Sequence, residues 1–179
     1  MAIRKTIQAG NPVIRAKAQK VKLPLDKATR NVIVDLTETM RANELIGIAA
    51  PQIGKGVRIF VTEIRKTKFR KDSLMPLQVF INPEIVETSK KQVGDWEGCG
   101  SVANSNLFAK VMRPEKVTVR AFDQNGEKFE LETGGLLARL IQHENDHLNG
   151  VLFTDKADLS TIMSGEEYIK MRKLESKKK

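Results

Sequence analysis

An α+β fold is expected from the 179-residue sequence on three observations: two well-separated amphipathic helical patterns, a series of short β-branched segments, and a tight turn joining two of those segments. The first helix is expected at residues 24–40. There Ala28, Val32, Leu36 and Met40 recur every fourth position with Ile33 beside them, behind Asp26 as a start. An apolar stripe of that kind packs on a sheet. Strands are expected at residues 57–61, 79–81, 85–86, 117–122 and 128–131. The last two read as an antiparallel hairpin, because Asp123-Gln124-Asn125-Gly126 ends in two residues that tolerate positive φ. After Gly134-Gly135, residues 136–148 read as a second helix closed by Asn149-Gly150. A short final helix is expected at residues 168–173.

Composition fits one domain. With 40% hydrophobic and 30% charged residues the chain sits near the globular average, and a core of this size buries about 70% of the unfolded surface. No repeat, linker or composition break marks a second unit, so residues 1–179 are expected to form a single catalytic domain with residues 170–179 as a basic tail. No uncharged run reaches the roughly 18 apolar residues of a membrane span, and residues 1–12 hold no apolar h-region, so neither membrane insertion nor secretion is expected. The lone Cys99 cannot close a disulfide within the chain, which fits a reducing, cytoplasmic setting. The charge is +9, from 31 basic and 22 acidic residues. It is densest at residues 65–71 and 171–179, which could contact nucleic acid but carry no interleaved aromatics or nucleic-acid motif.

The chemistry begins on the second helix, at His143-Glu144-Asn145-Asp146-His147, which holds the only two histidines. Two randomly placed histidines fall four apart in roughly one such sequence in a hundred. On a helix, residues four apart stand on one face, so both imidazoles can reach one metal ion while Glu144 reaches a water beside it. A third ligand is needed, and two candidates stand open. Cys99 would complete a His₂Cys set with a fourth position free. Glu166 or Glu167, about twenty residues after His147, would instead give the set of a zinc peptidase.

The surroundings of Cys99 introduce a resemblance. Gly47-Ile48-Ala49-Ala50-Pro51-Gln52, the run Glu97-Gly98-Cys99-Gly100-Ser101, and His143 to His147 with Leu136 to Gln142 before it resemble, in order and spacing, the three motifs of the peptide deformylase family. Those motifs read Gly-x-Gly-x-Ala-Ala-x-Gln, Glu-Gly-Cys-x-Ser and His-Glu-x-Asp-His, and the similarity covers most of residues 1–155. The resemblance implies antiparallel sheets enclosing a central metal-binding helix, with an N-terminal and a short C-terminal helix. It implies removal of the formyl group from the N-terminal formylmethionine of nascent peptides. Cys99, His143 and His147 would hold one divalent metal, Fe²⁺ by the family's habit, with Zn²⁺ or Ni²⁺ as substitutes. Glu144 would move the proton, while the Gln52 amide and the Gly100 N–H would donate to the oxyanion. Ile46, Gly47 and Glu97 would bind substrate, the first two by pairing with its backbone as an added strand. A monomer is expected, and the basic tail could dock it on the ribosome. The competing functions are the His₂Glu zinc peptidase and a basic ribosome-associated binding protein with an inactive site.

The chain departs from the family's pattern at three motif positions. Leu45 stands where glycine is usual, Gly100 where leucine is usual, and Asn145 where an apolar residue is usual. Gly100 keeps its N–H and loses a side chain that helps fix the loop. Asn145, about 200° around the helix from His143, must find hydrogen-bond partners or water. Leu45 is expected to narrow the substrate groove. Residues 102–112 also lack the family's usual proline soon after Ser101.

Overall fold

A computed structural model describes residues 2–66 and 74–176. Residues 67–71 of the first basic cluster and 177–179 of the tail lie outside the described residues.

A short helix α1 (Pro12–Arg15), capped by the Asn11 side chain, precedes α2 (Lys27–Ala42). Asp26 caps α2 as expected, accepting from the Thr29 N–H at 2.7 Å. Its buried face holds Ile33, Leu36 and Met40, whereas Ala28, expected in that stripe, is exposed on the first turn. The strands are β1 (Gly47–Ala49), β2 (Ile59–Ile64), β3 (Met75–Thr88), β4 (Gln92–Gly98), β5 (Leu107–Pro114), β6 (Lys116–Phe122), β7 (Lys128–Gly134) and β8 (Ala157–Ser164). The two further helices are α3 (Gly135–Leu148) and α4 (Gly165–Ser176).

The strands form two antiparallel sheets, one of five strands in the order β1-β2-β3-β6-β7 and one of three in the order β4-β5-β8. Expected strands 79–81 and 85–86 prove to be one strand, β3, whose register with β6 shifts between Ile81 and Glu84. The shift sits at Asn82, at φ 51°, whose side chain bridges to the backbone N–H and carbonyl of Val21. The expected hairpin is present, with the left-handed conformation taken by Gly126 and the Asp123 carboxylate accepting from the N–H groups of Asn125 and Glu127. None of the three strands β4, β5 and β8 is among those expected from the residue pattern. The final helix begins at Gly165, three residues before the expected start.

Helix α3 lies between the sheets, touching β1, β2 and β7 on one side and β5 on the other. Leu137, Ala138, Ile141 and Leu148 pack with Phe60, Phe80, Val117, Val119 and Ala121 of the five-stranded sheet. Across the helix, Cys99, Val102, Ala109, Val111, Leu152 and Phe153 form a second cluster with Ile14. Asn149 and Gly150 end α3 as expected. At φ 74°, with the Arg15 carbonyl oxygen 2.2 Å from where a Cβ would stand, only glycine fits at 150.

Candidate active site

Helical spacing sets the first half of the site. His143 and His147, one turn apart on α3, have ring centroids 5.1 Å apart. Cys99 follows the end of β4, and the ligand atoms of Cys99, His143 and His147 lie within 4.8 Å of one another. The Cys99 Sγ sits 3.2 Å from the His147 Nε2 and accepts from the Ser101 N–H at 3.4 Å and the Gln52 amide at 3.6 Å. The other end of the Gln52 amide is anchored, its Oε1 accepting from the Ala49 N–H at 2.7 Å.

Glu97, expected to bind substrate, has its carboxylate engaged within the protein. It is buried, and both oxygens are taken: Arg113 meets it at 2.6 and 2.9 Å, Arg139 at 2.7 Å, and His143 Nδ1 at 2.9 Å. Its position in β4 turns it toward α3, so it orients His143 and leaves the Nε2 of that ring facing Cys99 and His147. Burial alone would raise the Glu97 carboxyl, but the bonds from Arg113 and His143 hold it far below the usual range. Arg113 continues the network to Asp146 at 2.8 Å, and Asp146 accepts from Lys156. Arg113, Arg139 and Asp146 were missed as functional residues. The available signal was an arginine at an inward position of β5, after Leu107, Ala109 and Val111.

Glu144 is buried among these groups, and burial pushes its carboxyl up to about 7. Its Oε2 has no hydrogen-bond partner among the described residues, so it is free to meet a ligand or water. Gly47 makes room for it: a Cβ there would stand 2.7 Å from the Glu144 Oε1 and from Leu140. Gly47 belongs to β1, the edge strand of its sheet, beside the half-buried Ile46, whose carbonyl accepts from the Glu63 N–H. For the histidines, burial opposes the charged form of both. It carries His147 well below the usual imidazole range, while the bonds to Cys99 and Glu97 hold His143 well above it.

Gly100 follows Cys99 directly and is buried, with its carbonyl accepting from the Gln8 side chain at 2.8 Å. Asn145 finds a partner in Arg58, whose guanidinium donates to it at 3.4 Å. The alternative third ligands are elsewhere: Glu166 and Glu167 open α4, both exposed, and Glu167 pairs with Lys170. The donor set at the site is therefore one cysteine sulfur and two imidazoles, with one imidazole fixed from behind by a carboxylate. Such a set fits one divalent metal ion with an open coordination position.

Comparison with known proteins agrees with this chemistry. The family model for polypeptide deformylase matches residues 3–162. A peptide deformylase of Clostridium botulinum is 44% identical over 156 residues, spanning 87% of this chain and 97% of that protein. One from Thermomicrobium roseum is 41% identical over 163 residues, spanning 90% of each. Among solved structures, the class I type b peptide deformylase of Acinetobacter baumannii bound to Met-Ala-Ser superposes with a TM-score of 0.81 at 30% identity, over 87% of this chain and 98% of that one. The Synechococcus elongatus enzyme in complex with actinonin gives 0.76 at 37% identity, over 86% and 80%. With a sequence match along most of its length and the same fold around a Cys-His-His cluster, the chain belongs to the polypeptide deformylase family, metal-dependent hydrolases that remove the N-terminal formyl group.

Proposed function

We propose that Cys99, His143 and His147 hold one divalent metal, Fe²⁺ in the native protein, and that Glu144, Gln52 and Gly100 carry the release of formate from formylmethionyl polypeptides. The supporting observation is the closeness of three metal-ligating atoms, within 4.8 Å, beside a buried carboxyl raised to about 7. When bound, the metal supplies Lewis acidity, lowering the pKa of a water and polarising the formyl carbonyl. Glu144 takes the proton from the attacking water and returns it to the leaving amine, and a carboxyl near neutrality can do both. The Gln52 amide, held by Ala49, and the Gly100 N–H donate to the formyl oxygen as charge gathers on it. The peptide lies along the free edge of β1 beside Ile46 and Gly47, pairing as an added strand. The relative solved with Met-Ala-Ser supports a peptide ligand of this kind.

The test is formate release from a short formyl-Met peptide by protein purified without oxygen and loaded with Fe²⁺, Zn²⁺ or Ni²⁺. Thiolate and imidazole suit all three, so the metals must be compared directly. Specificity above roughly 10⁴ M⁻¹s⁻¹ is expected with Fe²⁺, lost on exposure to air. Glu144→Ala should keep the metal and lose about 10³-fold in turnover. No formate from fully metallated protein, or full activity in that variant, overturns the assignment. We propose also that the tail docks this cytoplasmic monomer on ribosomal RNA. Lys170 and Arg172 already pair with Glu167 and Glu175, so the three terminal lysines are the residues to delete. Weaker ribosome binding with a flatter salt dependence is expected; unchanged binding removes this part.

A further inference from the structure

Two of the three departures from the family motifs meet in space. A Cβ built on Gly100 would find the Leu45 Cδ1 as its nearest neighbour, at 3.5 Å, followed by Thr6 at 3.7 Å and the Ser105 hydroxyl at 3.8 Å. These are ordinary contact distances, so the space beside Gly100 is filled by Leu45 and not left as a void. The two residues sit on different segments. Leu45 is half-buried at the entrance to β1, its N–H bonded to the Met40 carbonyl, and packs against the core under α2. Gly100 belongs to the turn after β4 that carries Cys99. Its backbone is restrained on the far side, where Gln8 donates to the Gly100 carbonyl and the Ala9 N–H to the Ser101 carbonyl. On the near side a glycine can brace nothing by itself, having no side chain. Leu45 reaches across from the β1 segment and supplies that brace.

We propose that Leu45 is a positioning residue, whose side chain stands in for the one absent at Gly100 and holds the turn of residues 99–101 in place. The leucine of the strand entrance thus fills the space beside a turn that has no side chain of its own. This explains why a chain with glycine after its cysteine ligand also carries leucine where the first motif has glycine. The catalytic consequence rests on the assignment of the Gly100 N–H as an oxyanion donor. A donor that drifts on a free glycine turn costs turnover more than ground-state binding.

The experiment is a swap cycle of Leu45→Gly, Gly100→Leu and the double variant, measured for kcat and KM on a formyl-Met peptide, for metal content and for melting temperature. Leu45→Gly is expected to lower kcat about tenfold with KM moving less than about threefold. Gly100→Leu alone should also lower kcat, because two leucines compete for one space. The double variant should recover kcat to within about threefold of the parent. If Leu45→Gly instead loses metal and the double variant regains it, the positioning role stands, and the brace acts through Cys99 and not through the Gly100 N–H. Losses that simply add, or a loss confined to KM, overturn the proposal. Should Leu45→Gly not fold, Leu45→Ala and its combination with Gly100→Leu give the same reading.

Discussion

The five-stranded sheet turns Phe60, Phe80, Val117, Val119 and Ala121 toward the centre of the molecule. The three-stranded sheet also presents Ala109 and Val111, but in the same layer it buries Glu97 and Arg113, tied to Arg139, His143 and Asp146. Apolar packing is non-directional and contributes roughly in proportion to area. A buried ionic network contributes little net stability, because desolvation offsets the attraction, yet it fixes each group in direction. The two sheets thus divide the work around α3: one supplies stability, the other aims His143 and Cys99.

Removing the centre of the network should test that division most severely. Arg113→Met leaves Glu97 and Asp146 with part of their charge uncompensated, and about 3 kcal/mol of stability should be lost, or about 10 °C in melting temperature. Metal content should fall as well, since His143 loses a fixed carboxylate. A variant as stable as the parent and fully metallated would erase the distinction between the sheets. Phe80→Ala is the matched change on the apolar side. Phe80 is fully buried, stacked on Phe60 at 4.5 Å and edge-on to Phe129 at 5.5 Å, so a comparable 3 kcal/mol is expected. Here, however, kcat per folded, metal-loaded molecule should stay at the parent value. Calorimetry and turnover measured on the same two variants separate the cases.

Glu97→Gln makes the contrast finer. The amide keeps the shape and can still accept from His143, but it cannot carry the charge that Arg113 and Arg139 are arranged around. Loss of such a carboxylate behind a ligating histidine should weaken metal affinity by about 10- to 100-fold, read by competition with a chelator. Unchanged affinity would reduce Glu97 to a partner for the arginines alone.

The same contrast explains what the sequence made legible. The inner face of the five-stranded sheet is apolar at alternate positions, as at Val117, Val119 and Ala121, and that period marks a strand without knowledge of its neighbours. In β4 the exposed run Gln92 to Asp95 precedes Glu97, the one buried residue of the strand, and in β5 the inward series ends in Arg113. Strand β8 leaves Asp158, Leu159 and Ser160 exposed. No such strand shows a clean apolar period. The site divides in the same way: His143, Glu144 and His147 were readable because helical geometry makes their spacing meaningful, and Cys99 through the motif around it. The network of Glu97 with Arg113 and Arg139 is not legible in the same way, because its contacts span 16 and 42 residues, separations that carry no local signature.

The mildest test places the same chemistry in the other sheet. Arg120 on β6 stands directly opposite Glu130 on β7 and forms an ion pair with it, as Arg113 does with Glu97 between β5 and β4. The difference lies in solvent: the side chains of Arg120 and Glu130 are each 51% exposed, those of Arg113 and Glu97 only 3% and 5%. Water and salt screen the first pair, and neither residue is left stranded in a dry interior when its partner goes. Arg120→Ala should therefore cost less than about 1 kcal/mol, and most of that should vanish in high salt. The Arg113 variant should keep its deficit at any ionic strength, because ions do not reach a buried carboxylate. Urea melts of both variants at low and high salt make the comparison. Equal salt sensitivity would mean that solvent reaches the Glu97 network, and an open network could not aim His143 in the way the chemistry of the site requires.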